Sequence, residues 1–316
     1  GFIKIVENIT SVNAKNVVFV NPDTKTIDRV QKMWQQMVIT VPDIAIVIGG
    51  GTICDLAGFA CARYQRGIPR ILFPKTVLSM VDASIGGKSG IDYADVKNSI
   101  GAIHYPLVTV NYMPFLKNLD KKEYNSGFAE IVKASILYSK DFFEKVYAYS
   151  PSKKDFESEE LLDIFFTSSQ IKARVCEDEN KKKVSLLYGH SVGHAIERYE
   201  TKHLRHGDCI AIGMTIEGAM ACMLGIWDEL EWKRQQEVIR RFNLPTELPK
   251  YIDLKDLAKK MTLYKKLVDK EHYLFSLPKH IGQVNNSSTT YLTPVKRKDV
   301  INVLTKTLEW IDKKSE

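Results

Sequence analysis

The chain has 316 residues, 44% of them hydrophobic and 26% charged, with a formal net charge of +7. That length can bury more than one core, and no apolar run reaches the ~18–20 residues of a spanning helix, which excludes a helical membrane protein. The surplus lysines fall in KNLDKKE, NKKK and YKKLVDK without interleaved aromatics, the pattern of a solvated face or of a pocket for an anionic substrate rather than of a nucleic-acid surface.

Residues 16–20, NVVFV, read as a strand ending at Asn21-Pro22-Asp23. Lys25 to Met37 follows as an amphipathic helix with Ile27, Val30, Met33 and Trp34 on one side. Residues 44–48, IAIVI, form a second strand, Gly49-Gly50-Gly51 turns the chain, and Thr52 to Tyr64 reads as a helix whose alanines permit close packing. Strand, glycine turn and helix are the layout of a phosphate cradle, because glycine lets the backbone approach an anion that the helix N-terminus attracts. The same layout also serves an ordinary tight turn, and it is not GxGxxG. Arg70 to Phe73 is a further strand, closed by Pro74-Lys75-Thr76. Residues 80–106 are rich in glycine and polar groups, a composition suited to a site, with Asp82, Lys88, Lys97 and Asn98 as contacts for a phosphate and hydroxyls. Leu107 to Val110 completes an alternation that predicts a mostly parallel sheet covered on both faces, with ligands beyond the strand C-terminal ends.

From Leu116 onward helices dominate: Ala129 to Ser139, Asp141 to Tyr149, Glu160 to Glu177, Gly207 to Leu224, Trp227 to Arg241, Asp253 to Tyr264 and Arg297 to Trp310. Tyr273 to Leu277 and Thr289 to Leu292 read as a small strand pair. A boundary near residue 115 divides the chain into 1–115, an α/β domain, and 116–316, a mainly helical one. Five scattered cysteines without a CxxC pair read as buried thiols of a reducing compartment, and no charged-then-apolar leader opens the chain, so a cytoplasmic location is expected.

Four of the seven histidines lie in YGHSVGHAIERYETKHLRHGD, residues 188–208. His190 and His194 are four apart and share one helix face; His206 follows within HGD. A divalent metal takes about three N or O ligands from different turns, with one position open for catalysis. Glu130, one helical turn from Lys133 in SGFAEIVK, is the candidate carboxylate. His203, between Lys202 and Arg205, reads as a surface residue.

The motifs GGGTICDLAGFA, RGIPRILFPKT, VDASIGGKSGI, KNSIGAIHYP, GFAEIVK, YGHSVGHAIE, RHGDCIAIGM and LPKHIG, from about residue 44 to the C-terminus, are similar to those of the sugar phosphate cyclases, the superfamily of 3-dehydroquinate synthase. The resemblance implies an N-terminal Rossmann-like α/β NAD-binding domain and a mainly α-helical C-terminal metal-binding domain, with the active site in the cleft between them. It implies zinc or cobalt on Glu130, His190 and His206, and NAD over Gly50 and Gly51 with Asp55, Thr76, Lys88 and Lys97 nearby. Catalytic roles fall to Lys133, His194, Asp82 and Lys88. Substrate contacts fall to Arg66, Lys97, Asn98, Lys172, Lys183 and the Lys265-Lys266 pair. Arg66 resembles an arginine that reaches a neighbouring subunit's site, so a homodimer is expected, and the substrate is a phosphorylated sugar. The chemistry implied is transient oxidation by NAD, phosphate elimination, reduction and an aldol-type ring closure.

The chain departs from the pattern at several positions. Dehydroquinate synthases carry Asn and 2-deoxy-scyllo-inosose synthases Glu where this chain has Leu187, and an arginine that helps hold the substrate carboxylate is replaced by Lys183, which gives up a bidentate fork. The loop that grips the NAD adenosine is not found where FVNPDT runs into KTIDRV. The alternatives are a 2-deoxy-scyllo-inosose synthase using glucose 6-phosphate, a metal-dependent alcohol dehydrogenase that would release NADH, and a non-catalytic descendant of the cyclases.

Overall fold

The computed structural model describes residues 24–94, 96–150, 156–178, 182–199, 203–262, 269–285 and 291–315, together with Lys4, Glu7 and Thr10. The predicted strand at 16–20 lies outside them. The chain divides into two compact units, one formed by Gly1–Lys75 with Gly87–Asn111 and the other by Thr76–Gly86 with Tyr112–Glu316.

In the first unit, helix α1 (Ile27–Thr40) precedes strand β1 (Ala45–Gly49), helix α2 (Gly51–Arg63) and strand β2 (Arg70–Pro74). β1 pairs in parallel with β2, and β2 with the short β5 (Val108–Thr109), giving the order β1-β2-β5. The apolar run AIVIG suits a strand inside a parallel sheet. The core gathers Val30 and Met33 of α1, Val47, Leu72, and Leu56, Phe59 and Ala60 of α2. Much of the segment 80–106 is a separate antiparallel hairpin, β3 (Lys88–Tyr93) against β4 (Val96–Ile103). Gly90 faces Gly101 across it; a Cβ on Gly101 would lie 2.5 Å from the Ser89 carbonyl oxygen. The hairpin is not evident from sequence, because its glycines and polar residues hide a strand's alternation.

The second unit begins with a π-helical turn, Ser79–Ala83, and continues after Tyr112 with α3 (Lys121–Tyr138), α4 (Lys140–Ala148), α5 (Glu159–Glu177), α6 (His190–Ile196), α7 (His206–Met223), α8 (Glu229–Arg241) and α9 (Leu254–Met261). Strand β6 (His272–Phe275) pairs antiparallel with β9 (Thr293–Lys296), β7 (Pro278–His280) with β8 (Gln283–Val284), and α10 (Val300–Ser315) closes the chain. The partner of the 273–277 strand therefore begins at Thr293 rather than at residue 289. Helices α8 and α9 start later than periodicity suggested because Asp228 and Asp253 act as N-caps, their carboxylates accepting from backbone N–H groups two and three residues on. The core is aromatic: Phe128 stacks on Phe242 at 4.5 Å between centroids and meets Phe165 edge-on at 6.0 Å. α7 is apolar on every face and buried over nearly its whole length. Among the described residues no helix is long and apolar enough to cross a membrane, and no cysteine is in a disulfide.

Candidate active site

Helix α3 supplies Glu130 and Lys133, both buried, with Lys133 Nζ against Glu130 Oε2. A buried charge of either sign is costly alone, so the i,i+3 spacing that pairs them is what lets both lie in the interior. The other oxygen, Glu130 Oε1, is buried without a hydrogen-bond partner. It faces His190 Nε2 at 3.7 Å and His206 Nε2 at 3.6 Å.

Both imidazoles are oriented by their second nitrogen. His190 Nδ1 donates to the Tyr188 carbonyl at 3.0 Å, and His206 Nδ1 lies 2.6 Å from Glu197 Oε1. Each Nε2 is thereby left as the atom turned toward Glu130, the arrangement in which imidazole binds a cation. Glu130, His190 and His206 each offer one ligand atom within 4.8 Å of the others. One orphaned carboxylate oxygen and two aimed imidazole nitrogens form a donor set that fits zinc or cobalt. His194, one turn on from His190, puts its ring 4.8 Å from that of His190 and 6.0 Å from that of His206. His203 is exposed.

Charge in this cluster is strongly biased. Burial works to raise the Glu130 carboxyl, but Lys133 and His206 outweigh it and hold the group well below the usual carboxylate range. Burial, followed by Lys133, pushes His190 well below the ordinary imidazole value, and burial takes His194 down to about 4. His206 moves the other way: burial alone would lower it, but the carboxylates of Glu130 and Glu197 raise it to about 10.

A small cavity adjoins the cluster, lined in part by Asp82, Glu130, Lys133, Ser168 and Lys172. Lys172 of α5 is paired with Asp82 of the π-helical turn. Burial works to discharge Lys172, but Asp82 and Glu130 outweigh it and hold the ammonium above the ordinary lysine range. Thr76 lies three residues before that turn, its hydroxyl accepting from Ser79 N at 3.1 Å.

In the first unit, Gly50 is the N-cap of α2 and carries no side-chain cap, which leaves the helix N-terminus to backbone N–H groups alone. Asp55 on α2 pairs with Lys25 at 2.8 Å, and Lys25 also donates to Asn98. Asn98 sits at φ 52°, its backbone N–H on Asp92 Oδ1 at 2.7 Å. Lys88, Lys97 and Arg66 are exposed. The structure thus brings Asp82, Glu130, Lys133, Lys172, His190, His194 and His206 together in one unit, and Asp55 and Asn98 in the other. The Lys183 side chain, Lys265 and Lys266 lie outside the described residues.

Sequence reasoning missed two carboxylates. Glu197 stands three residues after His194, within reach of the same helical face. Glu217 interrupts the apolar stretch of the helix after its first turn, CIAIGMTIEGAMACM, and that isolation was the available signal.

Comparison with known proteins covers most of the chain. The N-terminal 3-dehydroquinate synthase model matches residues 17–126 and the C-terminal one residues 127–267. The 3-dehydroquinate synthase of Synechococcus sp. is 36% identical over 245 residues, 76% of this chain and 66% of its own. That of Prochlorococcus marinus is 39% identical over 249 residues, 77% of this chain and 68% of its own. That of Helicobacter pylori is 35% identical over 286 residues, covering 89% and 79%. The match therefore spans about two thirds of the length of the first two relatives. Among solved structures, 2-epi-5-epi-valiolone synthase from Streptomyces hygroscopicus, with NAD+ and Zn2+ bound, superposes with TM-score 0.79 at 23% identity over 93% of this chain and 82% of that one. A 2-deoxy-scyllo-inosose synthase complexed with carbaglucose-6-phosphate, NAD+ and Co2+ gives 0.81 at 21% identity over 90% and 81%. A probable glycerol dehydrogenase from Sinorhizobium meliloti gives 0.63 at 12% identity over 96% and 88%. At these identities the structural likeness establishes the fold.

Proposed function

The chain belongs to the 3-dehydroquinate synthase family, and from that premise we propose that it is a carbon–oxygen lyase, an NAD- and divalent-metal-dependent cyclase that eliminates phosphate from a phosphorylated seven-carbon sugar acid and closes a carbocycle. The observation that carries the reading is the orphaned Glu130 Oε1 facing the Nε2 atoms of His190 and His206, beside a cavity lined by two lysines. When bound, a zinc or cobalt ion on these three residues supplies Lewis acidity toward substrate hydroxyls, and NAD supplies a hydride acceptor that is regenerated within the cycle.

The chain's own groups do the rest. Lys172, kept charged by Asp82 and Glu130, and Lys133 present cations to an anionic substrate. Asp82 fixes where the Lys172 ammonium sits. His194, neutral at pH 7, accepts a proton at a ring nitrogen as a general base. In the first unit, Gly50 and Gly51 open the α2 N-terminus to the cofactor's phosphates, with Asp55 beside them for a ribose hydroxyl. Thr76, Lys88 and Lys97 complete the cofactor contacts, and Asn98, Lys183, Lys265 and Lys266 bind substrate. The enzyme acts in the cytoplasm as a homodimer, with Arg66 reaching the partner's site.

Phosphate release tests this. Purified protein with NAD and zinc or cobalt is given the seven-carbon sugar acid phosphate and, separately, glucose 6-phosphate. Release from the first without NADH build-up is the expected result. Release from glucose 6-phosphate alone moves the chain to the inosose synthases. Stoichiometric NADH moves it to the alcohol dehydrogenases.

A further inference from the structure

The histidine helix α6 has only seven residues and begins without a side-chain cap: its N-cap is Gly189, at φ 77°. The first N–H groups of a helix need acceptors, and a buried helix start without them is destabilised. Here they come from another helix. Glu217, on α7 eleven residues after His206 and 0% exposed, accepts from Gly189 N through Oε2 at 2.8 Å and from Val192 N through Oε1 at 3.0 Å.

The two helices touch backbone to backbone at this point. A Cβ on Gly213 of α7 would lie 2.0 Å from the Gly189 carbonyl oxygen, and one on Gly193 of α6 would lie 2.9 Å from the Cys209 carbonyl oxygen. The side chains at this contact, Ile210 beside Gly193 and Met214 beside Gly189, are apolar, so the directional bonds that set where α6 starts along α7 are those of Glu217. Tyr188, the residue before Gly189, is held from the same helix: its hydroxyl donates to the Met214 carbonyl at 2.9 Å, while its own carbonyl orients His190.

We propose that Glu217 is a positioning residue for the metal centre, tying the start of the helix that carries His190 and His194 to the helix that carries His206. Both of its oxygens are engaged by backbone amides, so it acts through the histidines and is not itself a ligand. The inference rests on the reading that Glu130, His190 and His206 hold a metal, and nothing in the motifs that mark the family includes this residue.

The test is cobalt binding by the full chain, followed by chelator competition and by the visible absorption of bound Co2+, in the wild type and in Glu217→Gln. The substitution keeps the volume but turns an NH2 toward a backbone N–H. Glu217→Gln is expected to stay folded, to raise the cobalt Kd roughly ten- to hundredfold, as loss of an outer-shell partner does, to alter the Co2+ spectrum, and to speed amide exchange at Gly189 and Val192. A lowered Tm with unchanged Kd and spectrum would show a role in folding alone and overturn the proposal. If the wild type itself binds no cobalt, the metal reading fails and takes this inference with it; binding by the wild type and the variant alike defeats the inference only. Should Glu217→Gln not fold, exchange in the wild type decides: protection of the Gly189 and Val192 amides supports the tie, and exchange at the rate of an open chain refutes it.

Discussion

The two units present their candidate sites by opposite means. In the second, the functional groups are side chains sunk into a helical core, each with a partner that sets its charge and direction. In the first, the corresponding surface is backbone: a glycine turn, a bare helix N-terminus and a hairpin whose lysines face outward. A site built from buried side chains is coupled to stability, so damage to it is felt by the fold. One built from backbone has little to lose when a side chain is removed, and its damage shows in binding instead.

Substitutions can break or sharpen this contrast. The largest effect is expected from Glu130→Gln, which leaves the Lys133 ammonium buried without its counter-charge. It should cost about 3–5 kcal/mol in chemical denaturation and abolish both cobalt binding and phosphate release. A folded, fully stable Glu130→Gln protein would refute the coupling of site and core. Gly213→Ala places a methyl on the Gly189 carbonyl oxygen and should cost roughly 1–3 kcal/mol, read as a lowered denaturation midpoint.

Acidity gives an intermediate test. Burial lifts the Glu217 carboxyl to about 8, against the backbone N–H groups of Val192, Gly189 and Ser191, whereas an unfolded glutamate titrates near ~4.3. The folded state therefore holds the proton more tightly, and this residue's contribution is fully present below the unfolded value and lost as pH rises through the folded one. The stability advantage of wild type over Glu217→Gln should shrink from pH 5 to pH 9, measured as the difference in Tm of the metal-free proteins. A constant difference would mean that the carboxyl titrates normally. The smallest stability effect belongs to the first unit: Asp55→Ala removes a partly buried ion pair with Lys25 whose side chains are 21% and 16% exposed and should cost about 1 kcal/mol, while calorimetry shows weakened NAD binding. A cost matching that of Glu130→Gln would erase the contrast.

What was legible in the sequence follows the same division. His190, His194, Glu130 and Lys133 announce themselves because helical spacing of three and four puts side chains on one face, and that face is what the structure assembles. The glycine turn after the IAIVI strand is equally plain. The β3–β4 hairpin was not, because Gly90 opposite Gly101 and an exposed β4 leave no alternation of apolar and polar residues to read. Glu217 stands out as an acid in an apolar run, but its role was not legible: its partners are backbone amides 25 and 28 residues away, and backbone has no letter in a sequence. The passage of Thr76–Gly86 into the second unit is not marked either: TVLSMVDASIG carries no linker composition and no run of charge to set it apart.

That passage has a practical outcome. The chain changes unit at 75/76, 86/87 and 111/112, so no single cut frees the halves. A fragment ending near residue 115 would carry Asp82 away from Lys172 and leave that lysine with a buried charge and one counter-ion fewer. The remaining helical piece would lack the turn on which α5 rests, where Ser169 donates its hydroxyl to the Met80 carbonyl. Only a rearranged order in which 76–86 is rejoined to the later residues would give each unit an uninterrupted chain of its own.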